Sequence, residues 1–517
     1  MSEKRKIMRS SIFLHLDGIA LCPTFLCIYK KGVLNDFTDN KASLSNLVKK
    51  YKCNEGYLNI ALRLLCCQGW LKQEIKEGEI YFTKNDHIDF DNIYNKYKIV
   101  EDIFSKKINY QSIYLDSNKI SDSILFNTIK NYINKIIIED TLNINKHLEG
   151  AILAPILVYF SRNNFLSTDE NFSLDFIKNN QWNKLIKDLF IKSKLIDSDE
   201  SKTEFGEFIF KRASSYGVTV SYLETFKKLD ELIFGNGNVL WEKEKGTAEI
   251  HVDRKMNVWG SGGAHRLYFQ KVDEIIIDLF NLPIEEQPKG FIDIGCGDGA
   301  LIEHIFDLIY FKTKRGKQLK KYPLLIIGSD FNYKALEVTE ERIKKADIWA
   351  NTAFGDIGDP DNLAKRVKEK YNINLEDLLN VRSFLDHNRV YTEPLNKPII
   401  PCNSSCAFSF RGKRIKNDVL MQNLYEHFNR WAPYLKKYGL LVVELHSISP
   451  EKTFMHLGKN SMTAYDATHG YSDQYIIEYE YFLKAAEKAG LFIEKKHENV
   501  FPNKITPIVS VNRLISR

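Results

Sequence analysis

Residues 291–306 read FIDIGCGDGALIEHIF, and this stretch decides the fold of the second half of the chain. An apolar run, Phe291 to Ile294, carries one acid, Asp293, and then breaks into glycines at 295, 297 and 299 before an apolar segment of helical spacing. That order reads as strand, tight turn, helix. Glycines there permit positive φ and let a ligand approach the backbone closely. The spacing is G-x-G-x-G, not the dinucleotide G-x-G-x-x-G, and no Lys comes after it as it would in a phosphate-gripping P-loop.

Outward from this turn, from about residue 285, strands and helices alternate. Strand candidates are 290–294, 324–329, 380–385, 440–445, 491–498 and 505–512; helix candidates are 334–346, 418–438 and 474–489. The pattern predicts a doubly wound α/β sheet with helices on both faces. The last two strands are too closely connected for a parallel crossover and should pair antiparallel. At the tip of LLIIGSDFN, Asp330 can accept hydrogen bonds from two ribose hydroxyls and Phe331 can lie on an adenine face. In ANTAFGDIGD, Asp356 can accept from an adenine amino group.

In these residues and their order the chain resembles the class I S-adenosylmethionine (SAM)-dependent methyltransferases, over about residues 250–517. The helix ending in LKKYG before the strand LLVVELH, and the final antiparallel strand, add to the likeness. The resemblance implies a Rossmann-like domain with a seven-stranded, mostly parallel sheet. It also implies SAM across the strand ends, on Asp293, Gly295, Gly297, Gly299, Asp330, Phe331 and Asp356.

Methyl transfer needs an aligned acceptor and often a base. The fourth strand ends in VRSFLDHNRVY, with Asp386, His387, Asn388 and Arg389; the fifth ends in VVELHSISPE, with His446; a later loop, AYDATHGYSDQYIIEY, supplies Asp466, His469, Asp473 and Gln474. Two readings stay open. In one, an Asp, a His and a Gln hold a divalent metal (manganese, iron or magnesium) that chelates a 1,3-dicarbonyl acceptor. In the other, His446 or His469 is a metal-free general base, with Asp386 in the same catalytic group. The wording NVWGSGGAHRLYF, VRSFLDHNR and THGYSDQY is similar to C-methyltransferase domains of bacterial polyketide assembly systems. That likeness implies a malonyl-type acceptor, free or bound to an acyl carrier protein, and His469, Gln474 and Asp386 as metal ligands. The alternatives are an O-methyltransferase of a small hydroxylated metabolite and a cofactor-sensing, DNA-binding regulator.

The front half contains a repeat. LDGIALCP (16–23) and LEGAILAP (148–155) share Leu, an acid, Gly, Leu and Pro at matching positions. Each is succeeded by a short helix, an apolar helix and a brief β-ribbon, the order of a winged-helix-like module. The expected organisation is a module at 1–100, a second with a helical connection at 101–235, a linker and active-site cover at 236–284, and the methyltransferase domain at 285–517. The helix in the recognition position, 54–69, has Glu55 and Arg63 as its charges and is apolar nearly all round. Such a helix belongs in a core or an interface, which points to homodimerisation rather than DNA reading.

Composition sets the outer bounds. With 44% hydrophobic and 27% charged residues the 517-residue chain is globular, and a net charge of +6 is too small for a typical nucleic-acid-binding protein. Eight cysteines without a C-x-x-C pair fit reduced thiols in a cytoplasmic protein. The apolar N-terminal stretch is interrupted by His15 and Asp17 and is read as a helix of the mature fold, with no membrane partner expected. Loop 259–263, WGSGG, is expected to be flexible, with His265 and Arg266 beyond it, and Arg411–Asp418 to be an exposed basic stretch.

Overall fold

The computed structural model describes residues 3–37, 41–115, 122–135, 140–166, 173–242 and 249–517, the side chains of 263–266 excepted. The chain forms two compact units, both discontinuous. One is Met1–Ala264, Ala407–Arg414 and Ser449–Asp473; the other is His265–Cys406, Ile415–Ile448 and Gln474–Arg517.

The first unit is mainly helical. Helix α1 (Glu3–Lys30) is long and apolar enough to span a membrane, but 89% of its most apolar window is buried inside the protein. It crosses α4 (Ile144–Arg162), and the crossing is close because glycines lie in it: a Cβ on Gly18 would sit 2.2 Å from the His147 carbonyl oxygen. Between them come α2 (Glu55–Cys67) and α3 (Phe90–Tyr97), separated by an antiparallel ribbon, Leu71–Lys76 with Glu79–Lys84. After α4, α5 (Asn180–Lys192) leads to a single bridge, Ile196 with Lys202, and a short helix, Glu204–Phe210.

Residues Gly56–Cys67 of α2 are all buried. The cover comes from distant segments: Gly56 abuts Ser409, and Gly470 abuts Ile60. The Arg63 Nε donates to Asp466 Oδ2 at 2.9 Å, and Gln68 Nε2 donates to Thr463 Oγ1 at 2.8 Å. A helix enclosed in this way presents nothing to base edges. The stretch expected as a flexible loop at 259–263 lies within a helix, Arg254–Phe280, whose Gly260 packs on the Gly217 backbone. The expectation for His265 and Arg266 falls on side chains outside the described residues. The basic stretch is not simply solvated: Arg411 lies 3.7 Å from the Trp241 ring centroid and pairs with Asp473, and Arg414 pairs with Glu55.

The second unit is built on an eight-stranded sheet. Its elements are β1 (Gly290–Ile294), α6 (Ala300–Lys312), β2 (Leu325–Asp330), α7 (Tyr333–Lys345), β3 (Asn351–Phe354), β4 (Leu379–Ser383), α8 (Asn417–Trp431), β5 (Leu440–Leu445), α9 (Tyr479–Lys488), β6 (Leu491–Ile493), β7 (Asn499–Pro502) and β8 (Pro507–Ser516). The order is β6-β8-β5-β4-β1-β2-β3, with β7 added beside β8. β1 to β5 pair in parallel; β8 runs antiparallel to β5, β6 and β7. The stretch expected as one strand at 491–498 holds only β6 and a 3₁₀ turn, Lys495–His497; β7 starts just after it, at Asn499, and is the source of the eighth strand. The helix expected from Gln474 starts later, at Tyr479.

The Arg63–Asp466 pair is almost wholly enclosed. Arg63→Ala leaves Asp466 charged and buried and should destabilise the protein by about 3–5 kcal/mol, read in thermal or urea unfolding. A loss under about 1 kcal/mol would contradict the pairing.

Candidate functional site

The site is built at the carboxyl ends of the parallel strands. β1 leaves the sheet at Gly295, Gly297 and Gly299, with φ of 78°, 56° and 77°, the left-handed region that favours glycine. The turn is tied to β2: the N–H groups of Gly295 and Cys296 both donate to the Ser329 carbonyl, at 2.7 and 3.0 Å. Gly299 then caps α6. A side chain on Gly297 would meet nothing within 4 Å, so open space lies above the turn at that residue, while Gly295 packs on Leu385 and Gly299 on Thr339.

Parallel pairing of β1, β2 and β3 sets Asp293, Asp330 and Asp356 in sequence across the strand ends. The Asp330 carboxylate accepts from Gly297 N–H at 3.3 Å and from Asn332 N–H at 2.9 Å, which fixes its orientation. Phe331 is 60% exposed and can receive a planar ring. Asp356 is exposed, and its Oδ1 accepts from Gly358 N–H at 2.7 Å. Asp293 is buried. Burial, and then the neighbouring carboxylates of Asp330 and Asp298, push its carboxyl up to about 7. This acidic row lowers its own energy by receiving a cation.

Two strands along, β4 and β5 bring a second group together. Phe384, at φ 54°, turns the chain after β4 into a 3₁₀ turn, Asp386–Asn388. There His387 meets Glu444, the penultimate residue of β5: Nδ1 to Oε1 is 2.5 Å, and the His387 N–H donates to Oε2 at 3.1 Å. Glu444 is 1% exposed. The His387 carbonyl accepts from Tyr475 N–H at 2.7 Å. A cavity of about 10 Å³, room for one water, lies between His387, Glu444, Arg389 and Tyr475. A larger cleft, about 430 Å³, runs between Thr352–Phe354 and Arg366–Tyr371 and holds none of the expected site residues.

Asp386 supports this turn rather than reacting in it. Its Oδ1 accepts from Arg382 Nη1 at 2.7 Å and lies 2.9 Å from His427 Nε2. Burial alone would raise the Asp386 pKa, but Arg382 and His427 hold it well below the usual carboxylate range. Arg382 in turn lies 4.0 Å from the Trp431 ring centroid. Arg389 Nη1 donates to the Asp386 carbonyl at 2.7 Å, and its Nε donates to Asn423 Oδ1 at 2.8 Å. Its Nη2 is buried without a hydrogen-bond partner among the described residues. Burial draws Arg389 down to about 10, so it stays charged at neutral pH.

The other expected reactive residues are placed differently. His446 is wholly buried with Nε2 2.8 Å from Ser510 Oγ, and burial lowers its pKa to about 3. It tethers β5 to β8. His469 lies in the helix Met462–Gly470 of the first unit, its Nδ1 2.8 Å from the Tyr465 carbonyl one turn back. Asp386 and Gln474 belong to the second unit. The expectation that His469, Gln474 and Asp386 bind a metal is therefore corrected. Asp386 already has its charge matched by Arg382, His469 Nδ1 is taken up by the Tyr465 carbonyl, and among the described residues no group of three or more His, Cys, Asp or Glu could hold a metal ion. Glu444 escaped the sequence reading. The signal was present: an acid inside the continuous apolar strand LLVVEL must have a buried partner.

Comparison with known families matches three stretches of the chain. The AprA MT2-like domain family matches residues 249–512, half of the chain. The AprA N-terminal domain matches residues 8–73 and the AprA winged helix domain residues 149–236. No curated protein matches. Among solved structures, an O-methyltransferase family 2 protein from Planctomyces limnophilus DSM 3776 in complex with apigenin is 9% identical, with 98% of this chain and 95% of that chain covered, at a TM-score of 0.38. The CurJ carbon methyltransferase is 10% identical over 96% of this chain and 99% of that one, at 0.30. Human N-acetylserotonin methyltransferase in complex with SAM is 8% identical over 99% and 98%, at 0.26.

Burial and the neighbouring carboxylates push the Asp293 carboxyl up to about 7, so its ionised fraction grows as the pH rises through neutrality. Affinity for the cationic cofactor SAM should therefore rise from about pH 6 to about pH 8 in calorimetric titration, and Asp293→Asn should flatten the dependence. A wild-type affinity independent of pH over that range would count against Asp293 facing the ligand.

Proposed function

This chain belongs to the family of AprA MT2-like methyltransferase domains and is a SAM-dependent methyltransferase; from that premise we propose that it methylates a carbon activated by adjacent carbonyls, with His387 as general base. The observation that carries the reading is the enclosed His387–Glu444 pair at the rim formed by β4 and β5. The sulfonium of SAM is a good leaving group, so the protein's task is to align an acceptor and remove its proton. The Glu444 carboxylate holds His387 Nδ1, fixes the ring and stabilises the imidazolium that forms. Proton exchange with the acceptor is then through Nε2. After transfer, the cation on His387 is matched by the carboxylate already beside it.

SAM would lie over Gly295, Gly297 and Gly299, with its ribose on Asp330, adenine between Phe331 and Asp356, and its cationic amino acid end toward Asp293. Arg389 supports a carbonyl-bearing acceptor. Its buried Nη2 has a hydrogen bond to give, and a charged donor beside the base would stabilise an enolate oxygen as it develops. A malonyl-type acceptor, free or on an acyl carrier protein, has this chemistry, and a cytoplasmic setting suits eight unpaired thiols. Asp386, with Arg382 and His427, positions the turn that presents His387.

His387→Ala and Glu444→Gln should each lower kcat on a malonyl-loaded carrier by about 100-fold or more while SAM affinity is kept. Mass spectrometry should place the added methyl on carbon, and turnover should persist in chelator. Near-normal turnover of His387→Ala would refute its role, and a methyl found on oxygen would replace C- by O-methylation.

A further inference from the structure

The repeated motif in the front half is longer in the structure than its shared apolar letters. It includes a histidine: His15-Leu16-Asp17-Gly18 and His147-Leu148-Glu149-Gly150, each succeeded by a leucine and a helix-interior proline, Leu21 and Pro23 in one copy, Leu153 and Pro155 in the other. The two copies lie against each other. Gly18 of α1 faces the His147 backbone, where a Cβ would come within 2.2 Å of its carbonyl oxygen. Gly150 of α4 faces the His15 backbone, where a Cβ would come within 2.3 Å. Each glycine thus admits the histidine of the other copy.

The side chains repeat the exchange. His15 Nδ1 is 2.8 Å from the Tyr216 hydroxyl, and His147 Nδ1 is 2.6 Å from the Tyr97 hydroxyl. Tyr97 ends α3, the helix after the first module's ribbon. Tyr216 ends a 3₁₀ turn, Ala213–Tyr216, that comes after the second module's bridge and short helix. The histidine of each module is therefore held by the tyrosine of the other, from matching places in the order of elements. Both histidines are fully buried. The acids have diverged: Asp17 accepts from Gln68, whereas Glu149 accepts from Lys146 and lies 3.4 Å from His15 Nε2.

A contact in which residue i meets j and j meets i is the signature of a two-fold, self-complementary interface. Two unrelated helices that happened to cross would not exchange the same residue types at the same motif positions. We infer that the first unit is an internal dimer, in which each winged-helix-like module is the other's partner and the surface a lone module would offer to a second chain is filled by its own repeat. One catalytic unit is then served by a pair of modules within one chain. The homodimer expected through these modules has its counterpart inside the molecule, so this chain is monomeric at this face.

The test uses the full chain. Glu149→Asp, Ala151→Ile, Ile152→Ala and Ala154→Cys together make 148–155 read as 16–23. Equivalence predicts that this transplant folds, with SAM binding kept and melting within about 5 °C of wild type. The same four residue types placed in shuffled order should melt far lower. Gly18→Ala and Gly150→Ala should each lower melting to a similar degree, and the double variant by less than the sum, because both sit in one crossing. Light scattering should show a monomer from micromolar concentration upward. A transplant that fails to fold, or melts no higher than the shuffled control, would overturn the equivalence. A stable dimer that Gly18→Ala or Gly150→Ala dissociates would put a second chain where the repeat is placed here.

Discussion

The backbone of Gly295, Gly297 and Gly299 is the constraint on which the catalytic unit rests. Three left-handed residues in five convert β1 into α6 within one turn, and at Gly297 the turn faces open space. The same bend ties β1 to β2 through the Ser329 carbonyl, which brings Asp330 under the turn. Once β1 and β2 are in parallel register, β4 and β5 take their places on the other side of β1, and their tips carry His387 and Glu444 to the same rim. The glycine turn and the His387–Glu444 pair are thus two consequences of one parallel sheet, separated by strand order rather than by chain distance.

Charge at the rim obeys the same logic. Asp293 is pushed up by burial and by neighbouring acids, whereas Asp386 has its charge matched by Arg382. Two buried aspartates of similar exposure therefore have opposite surroundings, one among other acids and the other beside a cation. Arg389 completes the set as a buried cation whose outer nitrogen is still unmatched among the described residues.

Much of this was legible in the chain, and the parts that were not have physical causes. β1 and β5 were read at their observed bounds because a buried parallel strand is an unbroken apolar run. The placement of the acids at 293, 330 and 356 along the strand ends was legible because each lies at the end of such a run or just after it. The His387–Glu444 pair was not, because its members are 57 residues apart and meet through the β4–β5 ladder. His446 drew attention by residue type, yet it is enclosed against Ser510. The apolar helix 54–69 was recognised as needing cover, but not that the cover comes from 407–414 and 449–473, segments of the methyltransferase region. A contiguous domain boundary near 285 could not express that exchange.

The most direct test of the account is calorimetric titration of SAM into the wild-type protein and into Gly297→Asn, a residue that tolerates the left-handed backbone there and whose Cβ meets no protein atom within 4 Å. The account predicts micromolar-range binding to the first and loss of binding to the second, with circular dichroism showing the fold retained. Equal binding by both proteins would contradict it.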